Sequence, residues 1–129
     1  MEGKLLYKDL SFKIVGLLFE VHTELGRYRN ERQYADYFER LLKRENIKYN
    51  REYRFDDIQY GKDKIRCVCD FIVDGIMILE FKSKDHVGKE EYYQVKRYLE
   101  TLNLELAILV NFRQPRIVPK EFLIICNIK

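Results

Sequence analysis

Asp70, Glu80 and Lys82 are the residues whose chemistry is hardest to explain as packing. They interrupt the stretch 67–82, where two apolar runs flank Asp74-Gly75. Carboxylates and lysines are costly in a half-buried sheet unless they are paired or bind something. Two carboxylates on adjoining strands can hold a divalent cation through hard oxygen donors, and a lysine beside them can stabilise or relay charge. Asp74-Gly75 between apolar runs reads as the turn of a β-hairpin. Glu80 and Lys82, at i and i+2, share one face of a strand. The direction of Asp70 depends on the turn. A two-residue loop at Asp74-Gly75 places Asp70 opposite Leu79, on the other face from Glu80. A three-residue loop, Val73-Asp74-Gly75 with Gly75 left-handed as a G1 bulge, places Asp70 opposite Ile78. Asp70, Ile78, Glu80 and Lys82 then share a face. A metal site requires that odd loop, and Gly75 is the residue that permits it.

The elements that must position these groups follow from periodicity. Over 8–25, Leu10, Ile14, Leu17, Leu18, Val21 and Leu25 form a helical stripe that Gly26 stops. His22 lies at its edge, a position usually explained by packing or a hydrogen bond. A second helix is expected over 30–46, with Asn30 as N-cap and Tyr34, Phe38, Leu41 and Leu42 buried. Its first turn carries Glu31, one turn from Tyr34; an acid there suits the helix dipole. Residues 47–57 alternate roughly, through Tyr49, Tyr53 and Phe55, as a strand, and 59–64 read as a turn. After a polar loop at 83–88, a third helix over 89–102 packs Tyr92, Val95, Tyr98, Leu99 and Leu102, with Gln94 and Tyr98 as i, i+4 neighbours. The apolar run 104–112 reads as a buried, parallel strand. Pro115 and Pro119 mark a loop, and 122–128 forms a last strand. The order α-α-β-β-β-α-β describes a single α/β domain over 1–129, with a central mixed β-sheet of four to five strands flanked by helices.

Composition is consistent with that plan. A chain of 129 residues that is 47% hydrophobic and 14% aromatic is globular rather than disordered. No apolar run approaches the ~20 residues of a membrane span. The first nine residues contain Glu2 and Asp9 and lack a signal-type apolar region, so cytoplasmic localisation is expected. Cys67 and Cys69 alternate on a strand as buried reduced thiols, and a zinc site would want a second ligand pair. The net charge is only +3, but residues 27–54 carry nine Arg or Lys against five acids. That bias suits a nucleic-acid backbone or an ordinary solvated helix face.

An acid, a spacer and then Glu-x-Lys on the next strand (Asp70, then Glu80-Phe81-Lys82) resembles the PD-(D/E)xK nuclease superfamily, with Cys69 in place of the proline. Residues 16–26, Glu31-Arg32-Gln33-Tyr34, the stretch 94–98 and Leu109-Val110-Asn111-Phe112 resemble the small GxxExxY family within it, over nearly the whole chain. One departure is plain: Tyr28 stands where that motif has its glycine. The resemblance implies a restriction-endonuclease-like core and a Mg²⁺-dependent nuclease, Mn²⁺ substituting, that hydrolyses phosphodiester bonds. It implies that Asp70, Glu80 and the backbone carbonyl of Phe81 hold the metal, and that Lys82, Glu31 and Gln94 are catalytic. His22 and Tyr98 would be accessory. The implied partner is nucleic acid, DNA more than RNA, with a homodimer or another protein supplying specificity. Two other readings stay open: a catalytically silent binding or regulatory module on the same fold, and a structural ion pair of Lys82 with Glu80 or Asp70.

Overall fold

A computed structural model of the chain describes residues 2–57, 64–116 and 122–126, with side chains described over 8–57 and 64–116. Helix α1 (Glu2–Leu25) begins earlier than periodicity indicates and buries Ile14, Leu17, Leu18 and Val21, one stripe of its surface. It stops where Gly26 takes φ +76° and its N–H bonds to His22 O at 2.8 Å. Helix α2 (Glu31–Arg44) is started by Asn30: Gln33 N donates to Asn30 Oδ1 (2.8 Å) and Asn30 N to Gln33 Oε1 (3.0 Å). This reciprocal capping box satisfies two otherwise orphaned backbone donors. Tyr34, Ala35, Phe38, Leu41 and Leu42 form its buried face.

The strands β1 (Tyr49–Asp57), β2 (Ile65–Val73), β3 (Met77–Lys82), β4 (Leu106–Asn111) and β5 (Phe122–Cys126) form one sheet in chain order. Neighbours are antiparallel except β3 and β4, which are parallel and joined through α3 (Lys89–Leu102). The sheet is therefore mixed, as expected. Every residue of β4 is buried, as a parallel strand covered on both faces should be. One face packs Phe71, Val73, Leu79, Phe81, Ile108, Val110 and Phe112 against α1 and α2. The other packs Cys67, Cys69, Ile72, Ile78, Ala107 and Leu109 against Val95, Tyr98 and Leu99 of α3. Cys67 and Cys69 are buried free thiols. The expected turn over 59–63, Pro119 and the end of the last strand beyond Cys126 lie outside the described residues.

The hairpin corrects the expected register. Val73 pairs with Met77, so the loop is Asp74-Gly75-Ile76, one residue further on than Val73-Asp74-Gly75. Asp74 and Gly75 both have positive φ, 54° and 66°, and Ile76 N closes the loop onto Val73 O at 3.0 Å. Asp tolerates that conformation and Gly adopts it freely, and Asp74 N is held by Lys48 O at 2.8 Å. The loop is still three residues long, so the parity of the register survives the shift, while the direction of Asp70 itself is set by a second irregularity at that residue. The register Phe71–Leu79 puts Asp70 across from Glu80 rather than from Ile78.

A second irregularity shapes the site. Arg51 and Phe71 pair on the α2 side: Arg51 bonds to Asp36 and Glu39 of α2, and its guanidinium lies 5.8 Å above the Phe71 ring. The next pair, Tyr53 and Cys69, belongs with Phe55 to the α3 side, where Phe55 meets Tyr98 edge-on. Residues two apart on a strand normally share a face. Here the alternation reverses on both strands at the position between, Glu52 and Asp70, which the ladder skips. Glu52 adopts φ 52°, a left-handed conformation unusual for a glutamate.

Candidate active site

The reversal lifts Asp70 out of the ladder between β1 and β2, and beyond the Phe71–Leu79 pair the strands β2 and β3 are joined through side chains instead. Glu80 Oε1 accepts from Asp70 N at 3.0 Å, and Asp70 Oδ2 accepts from Phe81 N at 2.7 Å. Each carboxylate thus satisfies a backbone donor on or beside the other's strand, and such charge-assisted bonds are strong. The second oxygen of each carries no hydrogen bond from a described residue. Glu80 is only 5% exposed, and Asp70 is half-buried.

The electrostatics are those of a site short of positive charge. Burial, and then the neighbouring Asp70 charge, push the Glu80 carboxyl up to about 8. Asp70 is raised too, first by burial and then by Glu31 and Glu52, while the Phe81 N–H and Lys82 oppose the shift. Lys82 is half-exposed and within electrostatic reach of both carboxylates, yet among the described residues it makes no ion pair. A structural Lys82–carboxylate pair is therefore absent from the described side chains.

Glu31, exposed in the first turn of α2, acts on both carboxylates and lines with Asp70 an open cleft of roughly 580 Å³. Glu52, Arg32, Asp36 and Arg51 complete much of its wall. Two residues distant in sequence, Glu31 and Asp70, are thus brought to one concavity. Gln94 is half-buried on α3, a turn before Tyr98. Tyr98 lies on the Glu80 side of the sheet, its phenol pushed up to about 12 by burial and then by Glu80. His22 is occupied elsewhere: its Nε2 is 2.8 Å from Gln114 O, and its ring stacks at 6.4 Å on Phe112. The Phe81 amide is fixed by Asp70, which sets the peptide whose neighbouring carbonyl was expected to serve as a ligand.

Several residues of the matched pattern hold the site together. Tyr34 is buried, stacks on Phe112 at 4.2 Å, accepts from Arg29 N at 3.2 Å and donates to Gly26 O. It thereby pins the loop that delivers Glu31. Buried Asn111 donates to Lys84 O (2.7 Å) and accepts from Lys84 N (3.2 Å), tying the chain that leaves Lys82 to the end of β4. Glu52 is the group that sequence reasoning missed. In sequence it is one more polar residue of a strand, and only its left-handed backbone, which no motif announces, brings its charge to Asp70.

Whether these groups suit a metal can be judged from the donors. Among the described residues no three His, Cys, Asp or Glu side chains are gathered closely enough to enclose an ion by themselves. Two hard carboxylates with one oxygen each to spare, in a pocket that raises the affinity of both for a positive charge, fit Mg²⁺ nonetheless. That ion commonly uses one or two carboxylates and keeps several waters.

Comparison with known proteins gives one match. No curated protein matches the chain, and no solved structure does. The sequence model of the PD-(D/E)XK nuclease superfamily matches residues 8–122, from the first helix to the start of the last strand, and it spans Glu31, Asp70, Glu80 and Lys82. With that match over most of its length, the chain belongs to the PD-(D/E)XK nuclease superfamily.

Proposed function

We propose that this protein is a Mg²⁺-dependent nuclease, with Mn²⁺ substituting, that hydrolyses phosphodiester bonds of nucleic acid, DNA in preference to RNA. The observation that carries the proposal is the reciprocal Asp70–Glu80 pair with an unpaired Lys82 beside it. Asp70 and Glu80, with the Phe81 carbonyl, would hold the cation. When bound, such an ion polarises the phosphate and lowers the pKa of a water. The chain supplies the rest. Lys82 orients the attacking water or offsets charge gathering on the phosphate, the role of a positioned donor in a half-dry site. Glu31 enters from α2 at the open side of the cleft, where it can accept a proton or extend the ligand set. Gln94 and Tyr98 take supporting roles on the α3 side, and His22 stabilises the frame from α1.

The resemblance to the GxxExxY family supports placing the chain there, as a single cytoplasmic domain whose specificity comes from a second copy or another protein. The rival is a silent binding module. Cleavage of labelled single- and double-stranded DNA and RNA with Mn²⁺, by wild type and Lys82→Ala, decides between them when run beside calorimetric metal titration. Metal-dependent cleavage lost in Lys82→Ala supports the enzyme. Stoichiometric metal binding without cleavage supports the module. Equal cleavage by both proteins would refute this mechanism.

A further inference from the structure

We infer that Tyr28 is a stacking platform for an unpaired base, so that the substrate strand reaches the carboxylates as single-stranded nucleic acid. The inference rests on the nuclease assignment for its substrate but on separate residues for its geometry.

Tyr28 is 74% exposed, a large aromatic left in water on the loop between α1 and α2. Nothing local requires it, since this is where the resembling motif has glycine. The loop is nonetheless anchored. Arg27 Nε donates to Arg113 O at 2.8 Å, and Arg113 Nε donates back to Arg27 O at 3.0 Å. Arg113 Nη2 also lies 3.3 Å from Ser83 O and from Ser83 Oγ, and Ser83 Oγ donates to Arg29 O at 2.8 Å. The ring is therefore braced against the residue that follows Lys82. Both guanidiniums lie over it, at 4.9 Å for Arg27 and 5.6 Å for Arg113.

An exposed ring with cations packed on it is the chemistry of single-strand binding. A base stacks on the open aromatic surface while nearby guanidiniums attract the phosphates on either side. Arg113 is partly occupied by Asp85 at 3.7 Å, but the Nη groups of Arg27 hold no described partner, and Arg29 is exposed. Tyr28, Arg29, Ser83 and Arg113 line a cleft of roughly 540 Å³ together with Glu31. Glu31 also lines the cleft that contains Asp70, so the two concavities share that residue. A strand stacked on Tyr28 is thus led past Glu31 toward the carboxylates. A base within a duplex already has both faces covered by its neighbours, so the ring discriminates against paired substrate.

The test is binding without turnover: fluorescence anisotropy with EDTA, using short single-stranded DNA and RNA oligonucleotides and the matching blunt duplexes. Wild type should prefer the single strand. Tyr28→Ala should weaken that binding by about 10- to 100-fold, the scale of one lost base–aromatic stack, while Tyr28→Phe retains it. Because Tyr28 is so exposed, the variants should melt with the wild type. An abasic nucleotide scanned along the oligonucleotide supplies a readout that charge alone would not move. At one position it should weaken wild type and leave Tyr28→Ala unchanged. Equal affinity of wild type and Tyr28→Ala, equal affinity for single strand and duplex, or no binding of single strands at all would each overturn the inference. Tyr28-dependent binding with no Mn²⁺-dependent cleavage would leave it standing and remove the nuclease assignment instead.

Discussion

Replacing Glu80 with glutamine should stabilise the metal-free protein, and the gain should grow with pH. Glu80 is 5% exposed, and its carboxyl is pushed from 4.5 up to about 8 by burial and the Asp70 charge. A carboxylate raised in the folded state binds its proton more tightly there than in the unfolded chain. The stability it contributes is therefore fully present below 4.5 and is lost as pH rises through about 8. Above that range the interval corresponds to about 3–5 kcal/mol held against the native state, less whatever the coupled Asp70 proton absorbs. Glutamine removes the charge and keeps the acceptor that Asp70 N uses at 3.0 Å, so the carboxylate hydrogen bond is replaced rather than orphaned. Urea unfolding in EDTA at several pH values measures the difference. Glu80→Gln should match wild type in acid and exceed it by at least ~2 kcal/mol near pH 9. Adding Mg²⁺ should stabilise wild type and leave the variant unmoved, because only a state that binds ligand is favoured by it. A variant less stable than wild type at high pH, or a gap that does not change with pH, would refute the account of Glu80 as a buried charge awaiting a cation.

Asp70→Asn keeps an oxygen for Phe81 N but halves the anionic donor set, so metal affinity and cleavage should fall together in calorimetry and nuclease assays. Lys82→Ala should separate them. Its affinity for Mn²⁺ should equal or exceed wild type, since a competing cation is gone, while the cleavage rate falls by ~10²-fold or more, the scale of one charge-stabilising group. Tyr34→Phe removes the hydroxyl that joins Arg29 N to Gly26 O in a buried position, and should cost about 1–3 kcal/mol. Faster amide exchange confined to the loop before α2 would show that the loss is local.

The helices, the succession of strands along the chain and the parallel β3–β4 pair were legible because each rests on local periodicity or on a stop signal such as Gly26 or Asn30. Register was legible only in parity. Asp74-Gly75 alone is compatible with a two- or a three-residue loop, and the metal reading requires the odd one. The shift by one residue depends on Asp74 also entering the left-handed region, held by Lys48 O, which tertiary contacts decide. Glu31 could be placed by motif, and its meeting with Asp70 in a single cleft needed the packing of α2 on the sheet. The reversal at Glu52 was not readable, because alternation along β1 changes at a residue with no glycine or proline to mark it. Arg51 was equally hidden. It counts in sequence as one of a basic run, yet in the fold it is committed to Asp36 and Glu39 at 2.7 and 3.0 Å.

That commitment changes how the basic run bears on function. Arg44 is likewise paired, with Glu20 at 2.6 Å and Glu45 at 3.0 Å, so part of the positive excess between residues 27 and 54 is spent on joining helices and strand within the protein. What remains exposed and without an ion pair among the described residues of that run is Arg29, Arg32, Arg40, Lys43, Lys48 and Arg54, of which Arg29 and Arg32 stand at the N-terminal end of α2 beside Glu31. Part of the charge available to a polyanion therefore stands at the mouth of the carboxylate cleft, and the rest lies along α2 and the strand that follows it. A phosphate approaching there meets arginines before it meets Asp70 and Glu80, whose own charges repel it until they are neutralised. A polyanion and the carboxylate pair can thus share this cleft only through a cation between them, so nucleic-acid affinity at the carboxylate end should rise with Mg²⁺ while affinity at the Tyr28 end persists in EDTA.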